Sequence, residues 1–357
     1  MSGGVDSSVC AHLLKQQGHE VIGVRFALWV DPTAPAKAQI LPSKCCTTES
    51  IIRANTVAKN LGFPLHVVDL SKEFKKRVVD AYLDAQRKGL TPNPCVVCNR
   101  IIKFSHLAKL AKKFGCDRVA TGHYARTDIK CMPDGTERIR LLEATDKTKD
   151  QSYYLHGLTQ TQLKLALFPL GTFTKKNVFT LARAFGVPLS EHYLQSQDLC
   201  FFPEKTPQAF LKRHLKEART PGPIVNRSGT VLGSHEGLPL YTIGQRRGLR
   251  IGGQKIPLEV VRKEPRFNRL VLAPKGEEMA LTLALTHMRF VSWKPEDGKK
   301  TPFACRTRSL SQKIKGTLML TGTKGLFRFS KPQPLQTPGQ SLVLYKGEEV
   351  IGGGIIR

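Results

Sequence analysis

The apolar positions of the first two hundred residues switch repeatedly between two periods. Val9, Leu13 and Leu14 recur at helical spacing and give out before Gly18, which predicts a short amphipathic helix. Val21-Ile22-Gly23-Val24 is then apolar on consecutive positions, as a strand buried on both faces requires. The alternation continues. Helical patterns cover residues 50–60, stopped by Leu61-Gly62, 72–88, stopped by Gly89, and 104–114. Between them lie the strand-like segments Leu65-His66-Val67-Val68 and Arg118-Val119-Ala120-Thr121-Gly122. Strands alternating with helices predict an α/β domain with a parallel sheet, whose ligands sit beyond the carboxyl ends of the strands.

Beyond Pro203 the texture changes. Glycine and proline become frequent, as in Pro221-Gly222-Pro223 and Gly252-Gly253, and the apolar runs shorten to Leu270-Val271-Leu272 and Ser341-Leu342-Val343-Leu344-Tyr345. The expected division is therefore a catalytic α/β domain over 1–202, a small mixed domain over 203–272 and a β-barrel over 273–357. No internal repeat is visible.

Charge changes the picture more than composition does. Mean hydropathy is −0.24 and charged residues make up 24%, as expected of a soluble globular chain. No apolar run has the length of a membrane span and no signal-peptide pattern leads the chain, so a cytoplasmic protein without a membrane partner is expected. Against that ordinary background the 357 residues carry 56 Lys and Arg and only 28 Asp and Glu, a net charge of +28. Such a field selects polyanions and makes nucleic acid the leading partner, without distinguishing RNA from DNA. Nine cysteines, an odd number in a chain of this size, argue against a disulfide framework and for thiol or metal chemistry at the clustered ones.

The first candidate for chemistry is the opening stretch Ser2-Gly3-Gly4-Val5-Asp6-Ser7-Ser8. Two glycines allow a tight turn and close approach to a ligand, and the hydroxyl residues lead into a helix whose first N–H groups can bind an anion. A Walker loop would end in Gly-Lys-Ser/Thr, but Asp6-Ser7-Ser8 stands there instead, so no loop lysine serves a transferring γ-phosphate. Cleavage between the α- and β-phosphates fits better, with pyrophosphate held in a nest of backbone N–H groups. The second candidate is Thr91-Pro92-Asn93-Pro94-Cys95-Val96-Val97-Cys98-Asn99. A lone Cys-x-x-Cys is either a redox pair or half a zinc site, and no second half follows. With a helix expected from about Lys103, Cys98 falls near its N-terminus, where the dipole favours a thiolate. Cys200, in Ser196-Gln197-Asp198-Leu199-Cys200-Phe201-Phe202, would alone read as a core cysteine.

Taken together, the opening loop, TPNPCVVCNRIIKF, ATGHYAR, KDQSYYL, SQDLCFF, GLPLYTIGQRRGL and TPGQS stand in the order found in the tRNA-specific 2-thiouridylase family, which the chain resembles over essentially its whole length. The resemblance implies an ATP-pyrophosphatase domain, a central domain and a C-terminal barrel, using ATP and Mg²⁺ to thiolate C2 of the wobble uridine of tRNA. It implies Cys200 as the persulfide carrier and Cys98 as its partner, a Cys98–Cys200 disulfide after turnover, and a sulfur carrier or cysteine desulfurase relay upstream. It places ATP against Ser2 to Ser8, that is Ser2, Gly3, Gly4, Val5, Asp6, Ser7 and Ser8, with Phe26 near adenine and Gly122 at a strand end. Asn93, Pro94 and Cys95 fall beside the target base, and His123, Lys149, Asp150, Gln151, Arg308 and Gln340 against tRNA; DNA is not an expected partner. Two departures matter. Cys95 stands where part of the family has an aspartate, and members with cysteine there resemble ones holding an iron–sulfur (4Fe-4S) cluster, here on Cys95, Cys98 and Cys200. A hydrophobic strand also precedes the loop in the family, so the working protein is expected to start upstream of Met1. The competing readings are another ATP-pyrophosphatase, acting at a different tRNA position or forming an amide, and an RNA-binding protein with a decayed ATP loop.

Overall fold

The computed structural model describes residues 1–35, 48–131, 135–189, 199–204, 206–252 and 256–357. Cys45, Cys46, Gly253 and Ser196-Gln197-Asp198 lie outside the described residues. The loop runs straight into helix Val5–Gln16, which buries Val5, Val9 and Leu14 and ends before Gly18 at φ +81°. Strand β1 (Gly23–Ala27) pairs in parallel with β2 (Leu65–Asp69), Gly23 opposite Leu65 and Ala27 opposite Asp69. It begins two residues later than the apolar run suggests. Val21 packs into a small cluster with Ala11, Val57 and Phe63, and the ladder opens where Gly23 N–H donates to Pro64 O at 2.8 Å. β3 (Val119–Ala120), the hairpin β4 (Ala125–Cys131) and β5 (Glu137–Glu143), and β6 (Ala166–Leu167) follow. β3 and β6 form a second parallel pair. Parallel pairs joined through helices are the α/β class that the alternation predicts.

The second unit is a four-stranded sheet of β7 (Gly222–Val225), β8 (Val231–His235), β9 (Leu258–Glu264) and β10 (Arg269–Pro274), in the order β8-β7-β10-β9. Six antiparallel strands complete the chain: β11 (Met279–Phe290), β12 (Lys300–Arg306), β13 (Ile314–Thr321), β14 (Lys324–Pro334), β15 (Ser341–Lys346) and β16 (Glu349–Ile356). β11 pairs with both β14 and β16, which closes the sheet into a barrel around Leu285, Leu318, Phe327, Leu342 and Ile351.

One connection is absent from the sequence reading. β5 pairs with β16, Leu142 opposite Glu349 and Leu141 opposite Val350, so the β4–β5 hairpin extends the barrel sheet. Behind this seam Arg306 sits 2.9 Å from Glu143 and 3.1 Å from Asp150, and Lys313 lies 2.9 Å from Glu143. His156 is buried in the same junction. Its Nδ1 lies 2.8 Å from Tyr153 O, and a Cβ on Gly353 would come within 2.8 Å of its ring. Burial pulls its pKa down from 6.5 to about 4, helped by Arg100 and Arg289 and opposed by the Tyr153 bond. The unfolded chain therefore binds the proton more readily than the folded one. The stabilising contribution is complete above pH 6.5 and falls away as the pH drops toward 4, by up to about 1.4 kcal/mol per pH unit. Urea unfolding at pH 7 and pH 5 should show lower stability at pH 5, with a smaller difference in His156→Gln. An unchanged difference in that variant would assign the acid sensitivity elsewhere.

Candidate active site

The opening loop is built on close contacts that only glycine tolerates. Gly3 has φ +77°, and a Cβ there would lie 1.9 Å from Ser50 O. Its own carbonyl accepts from Arg53 Nη1 at 2.7 Å, which pins the turn to helix Thr48–Asn60. Gly4 is the N-cap and has no side chain to occupy the first-turn N–H groups. The Ser7 and Ser8 hydroxyls turn back on Gly4 O at 3.0 and 3.1 Å, and Ser2 Oγ lies 3.2 Å from Ser7 Oγ. Gly122 completes the cradle, since a Cβ on it would lie 2.9 Å from the Asp6 carbonyl carbon and 3.0 Å from Ser7 N. Two motifs far apart in the chain thus meet backbone to backbone. Phe26, near the carboxyl end of β1, sets its ring 6.3 Å from that of His106.

The cysteine segment departs from the sequence reading. The helical run starts at Pro94 with Asn93 as N-cap, not near Lys103; the fixed φ of proline suits the first helical position, where no N–H is needed. Cys95 therefore occupies the first turn, and Cys98 lies a turn further in, where a π-helical stretch Cys98–Lys103 begins. Burial pushes the Cys95 thiol up and the Lys103 charge pulls it down. Cys98 is buried in a cluster with Phe74, Tyr82, Phe201 and Phe202, and Cys200 packs against the same cluster. Both cysteines therefore border one hydrophobic cluster, and both are thiols. Among the described residues, however, no three Cys, His, Asp or Glu side chains are gathered to hold a metal ion. The arrangement does not fit an iron–sulfur cluster on Cys95, Cys98 and Cys200. Mg²⁺ would enter on the phosphates of ATP, as that ion commonly does.

Beside the cysteines lies a cleft of about 540 Å³ whose wall draws on all three units: Thr91 and Asn93, Thr242 to Gln245, and Arg308, Thr337 and Gln340. Tyr154 and Ser309 complete it. The TPGQ turn holds the cysteine segment in place. Thr91 N–H donates to Pro338 O at 2.9 Å, Gln340 Nε2 donates to Thr91 O at 2.8 Å, and Gly339 (φ +92°) approaches Thr91 too closely for a Cβ.

The remaining residues expected against tRNA fare differently. The Asp150 carboxylate is enclosed: it accepts from Ala144 N, Ser152 N and Ser152 Oγ and pairs with Arg306, with none of its side chain exposed. In this position the carboxylate fixes a turn. Gln151 Oε1 accepts from Tyr124 N at 3.0 Å, which leaves Lys149 as the charged, half-buried member of the motif. His123 bonds Thr121 Oγ1 at 2.9 Å, and burial with Lys103 nearby holds its pKa down at about 3. Sequence reasoning missed Tyr154, the Thr242–Gln245 turn and Lys175, whose Nζ lies 2.5 Å from Asp6. The first two stand in the quoted motifs; nothing in the spacing singles out Lys175.

Fold and site define a class. Residues 1–204 match the family described as tRNA methyl transferase HUP domain, 208–274 its PRC-barrel domain, and 281–356 the aminomethyltransferase beta-barrel domain. The relatives narrow it. The chain is 41% identical over 358 residues to a tRNA-specific 2-thiouridylase of Caldanaerobacter subterraneus subsp. tengcongensis, covering 100% of this chain and 96% of that protein. It is 42% identical over 357 residues to the one of Geobacter metallireducens, covering 100% and 95%. The chain belongs to the tRNA-specific 2-thiouridylase family. A solved U34-tRNA thiolase of Methanococcus maripaludis aligns at 16% identity and a TM-score of 0.35 over 61% of this chain and 65% of that one, a likeness that carries no argument. No helix among the described residues is long and apolar enough to cross a membrane.

Proposed function

We propose that this protein is an ATP-dependent tRNA-uridine 2-sulfurtransferase acting at the wobble position. A uridine carbonyl oxygen leaves poorly. Transfer of AMP from ATP to that oxygen, with pyrophosphate released at the Ser2–Ser8 loop, turns it into a good leaving group. The terminal sulfur of a Cys200 persulfide then bonds to C2 as the bond from C2 to the AMP-bearing oxygen breaks. Cys98 attacks the inner Cys200 sulfur, the sulfur–sulfur bond of the persulfide breaks, and the sulfur stays on C2. The enzyme is left with a Cys98–Cys200 disulfide, which a dithiol reductant reopens. A protein sulfur carrier or desulfurase relay reloads Cys200. The carrying observation is that Cys98 and Cys200, distant in sequence, pack against one cluster. Mass spectrometry of nucleosides from tRNA incubated with the protein, ATP and a sulfur donor tests the reading: 2-thiouridine supports it, and thiolation elsewhere or none at all refutes it. Pyrophosphate release that depends on tRNA separates the enzyme from a binding protein.

Two further outcomes are expected. Phosphate contacts should supply most of the tRNA affinity, so the logarithm of affinity should fall steeply with that of salt. With roughly six to ten contacts, several orders of magnitude are lost over a modest rise in ionic strength. A flat dependence in filter binding would show that the +28 charge is not a tRNA-binding surface. Iron-free protein supplied with MgATP should also keep full activity, since no three ligating side chains are gathered among the described residues. Broad iron–sulfur absorption in anaerobically purified protein, lost in Cys95→Ala, would instead establish the cluster route.

A further inference from the structure

The loop motif carries an aspartate where a phosphate-binding lysine would stand, and the fold brings a lysine to that aspartate from far along the chain. Lys175 is the first residue of helix Lys175–Ala184. Its Nζ lies 2.5 Å from Asp6 Oδ1, and Tyr124 Oη donates to the same oxygen at 2.9 Å. The lysine side chain is only 10% exposed, between the rings of Tyr124 (5.5 Å) and Phe179 (5.0 Å). Its backbone N–H is held by Asp146 Oδ2 at 2.9 Å. Tyr124 is fixed in turn by Gln151, through Tyr124 N to Oε1 and Gln151 N to Tyr124 O at 2.8 Å.

Helix stability does not account for this lysine. A cation in the first turn opposes the dipole of its own helix, and burying an ammonium carries a desolvation cost that an apolar residue would avoid. Burial does lower its pKa, against the pull of Asp6. What the lysine offsets is the carboxylate of Asp6, in the first turn of the loop helix, where an anionic ligand would otherwise meet a like charge.

We propose that Lys175 is a positioning residue for ATP: it neutralises and orients Asp6, so that the first turn of the loop helix meets a polyphosphate without a competing negative charge. This rests on the reading that the loop takes ATP. Lys175 acts through Asp6 rather than on the phosphates, and that distinction is testable.

The test is tRNA-dependent pyrophosphate release by the full chain, with thermal unfolding in parallel. Wild-type ATP binding is measured first by equilibrium dialysis; its absence would refute the loop assignment itself and not the role of Lys175. Lys175→Met should raise KM for ATP about tenfold with kcat changed far less, because ground-state and transition-state binding weaken together. Lys175→Arg should stay close to wild type. The double variant Lys175→Met with Asp6→Asn should recover most of the loss, since removing the carboxylate removes what the lysine offsets. Should Lys175→Met fail to fold, Tyr124→Phe withdraws the other donor to Asp6 and should raise KM in the same direction by about threefold. A double variant as impaired as Lys175→Met would mean that the lysine acts directly on the phosphates. An unchanged KM in Lys175→Met, or in Tyr124→Phe if that variant must stand in, would overturn the proposal.

Discussion

Cys98→Ser and Cys200→Ser should each lose 2-thiolation by at least about a hundredfold, while tRNA binding stays within a few-fold of wild type. Serine is the nearest isostere, slightly smaller and a stronger hydrogen-bonding group, but it can neither carry a persulfide nor close a disulfide. Both residues pack against the aromatic cluster of Phe74, Tyr82 and Phe201, and neither carries a positive charge of the kind that phosphate contacts require. The two variants should also separate by step. Cys200→Ser should fail to accept labelled sulfur from a donor, whereas Cys98→Ser should accept it and fail to deliver it to tRNA. Substantial thiolation in either variant with a protein sulfur donor would end the paired-cysteine mechanism.

Gly3→Ala should abolish ATP-dependent turnover, with a loss of about a hundredfold or more. Two independent costs converge on one methyl group. The left-handed backbone at φ +77° is disfavoured for alanine by roughly 1–2 kcal/mol. The new Cβ would sit 1.9 Å from Ser50 O, a backbone atom that cannot rotate away. The turn must therefore shift, and Gly3 O leaves Arg53. A displacement of about 1 Å in a group that positions a reacting phosphate is enough for a hundredfold loss. Gly122→Ala should act in the same sense and more weakly, its overlap with Asp6 and Ser7 beginning at 2.9 Å. Pyrophosphate release at saturating tRNA is the measurement, and a wild-type KM for ATP in Gly3→Ala would show that the loop does not hold the nucleotide.

What could be read from sequence was what local chemistry decides. The helices at 5–16, 48–60 and 104–114 announce themselves because their apolar faces recur at helical period. The loop and Gly122 are legible because their contacts require a residue type and not merely an apolar one. The β4–β5 hairpin is not: Arg126, Thr127, Asp128 and Lys130 dominate β4, and the other partner of β5 is β16, about two hundred residues away. Asp150 misleads for the same reason. Between Lys149 and Gln151 it looks solvated, and only Arg306, arriving from the barrel, reveals it as enclosed. The start of the Pro94 helix was missed because its prolines favour an extended approach and a helical first turn about equally, and sequence alone does not choose. Lys175 illustrates a further limit, since an ion pair across that separation leaves no trace in spacing.

The seam between β5 and β16 has a consequence for how the protein is made. Leu141 and Leu142 leave the ribosome about two hundred residues before Glu349 and Val350, their partners in the ladder. At about 5–20 residues per second, the hairpin waits roughly ten to forty seconds with that edge unclaimed. Throughout that interval it offers an open strand edge to other nascent chains, with Ile129 exposed on the neighbouring strand. β16 both closes the barrel and retires this edge. A chain lacking Glu349–Ile356 would therefore carry three open edges, those of β11 and β15 on the barrel and that of β5 on the catalytic unit, and expression yield should be more sensitive to loss of β16 than to loss of surface residues elsewhere.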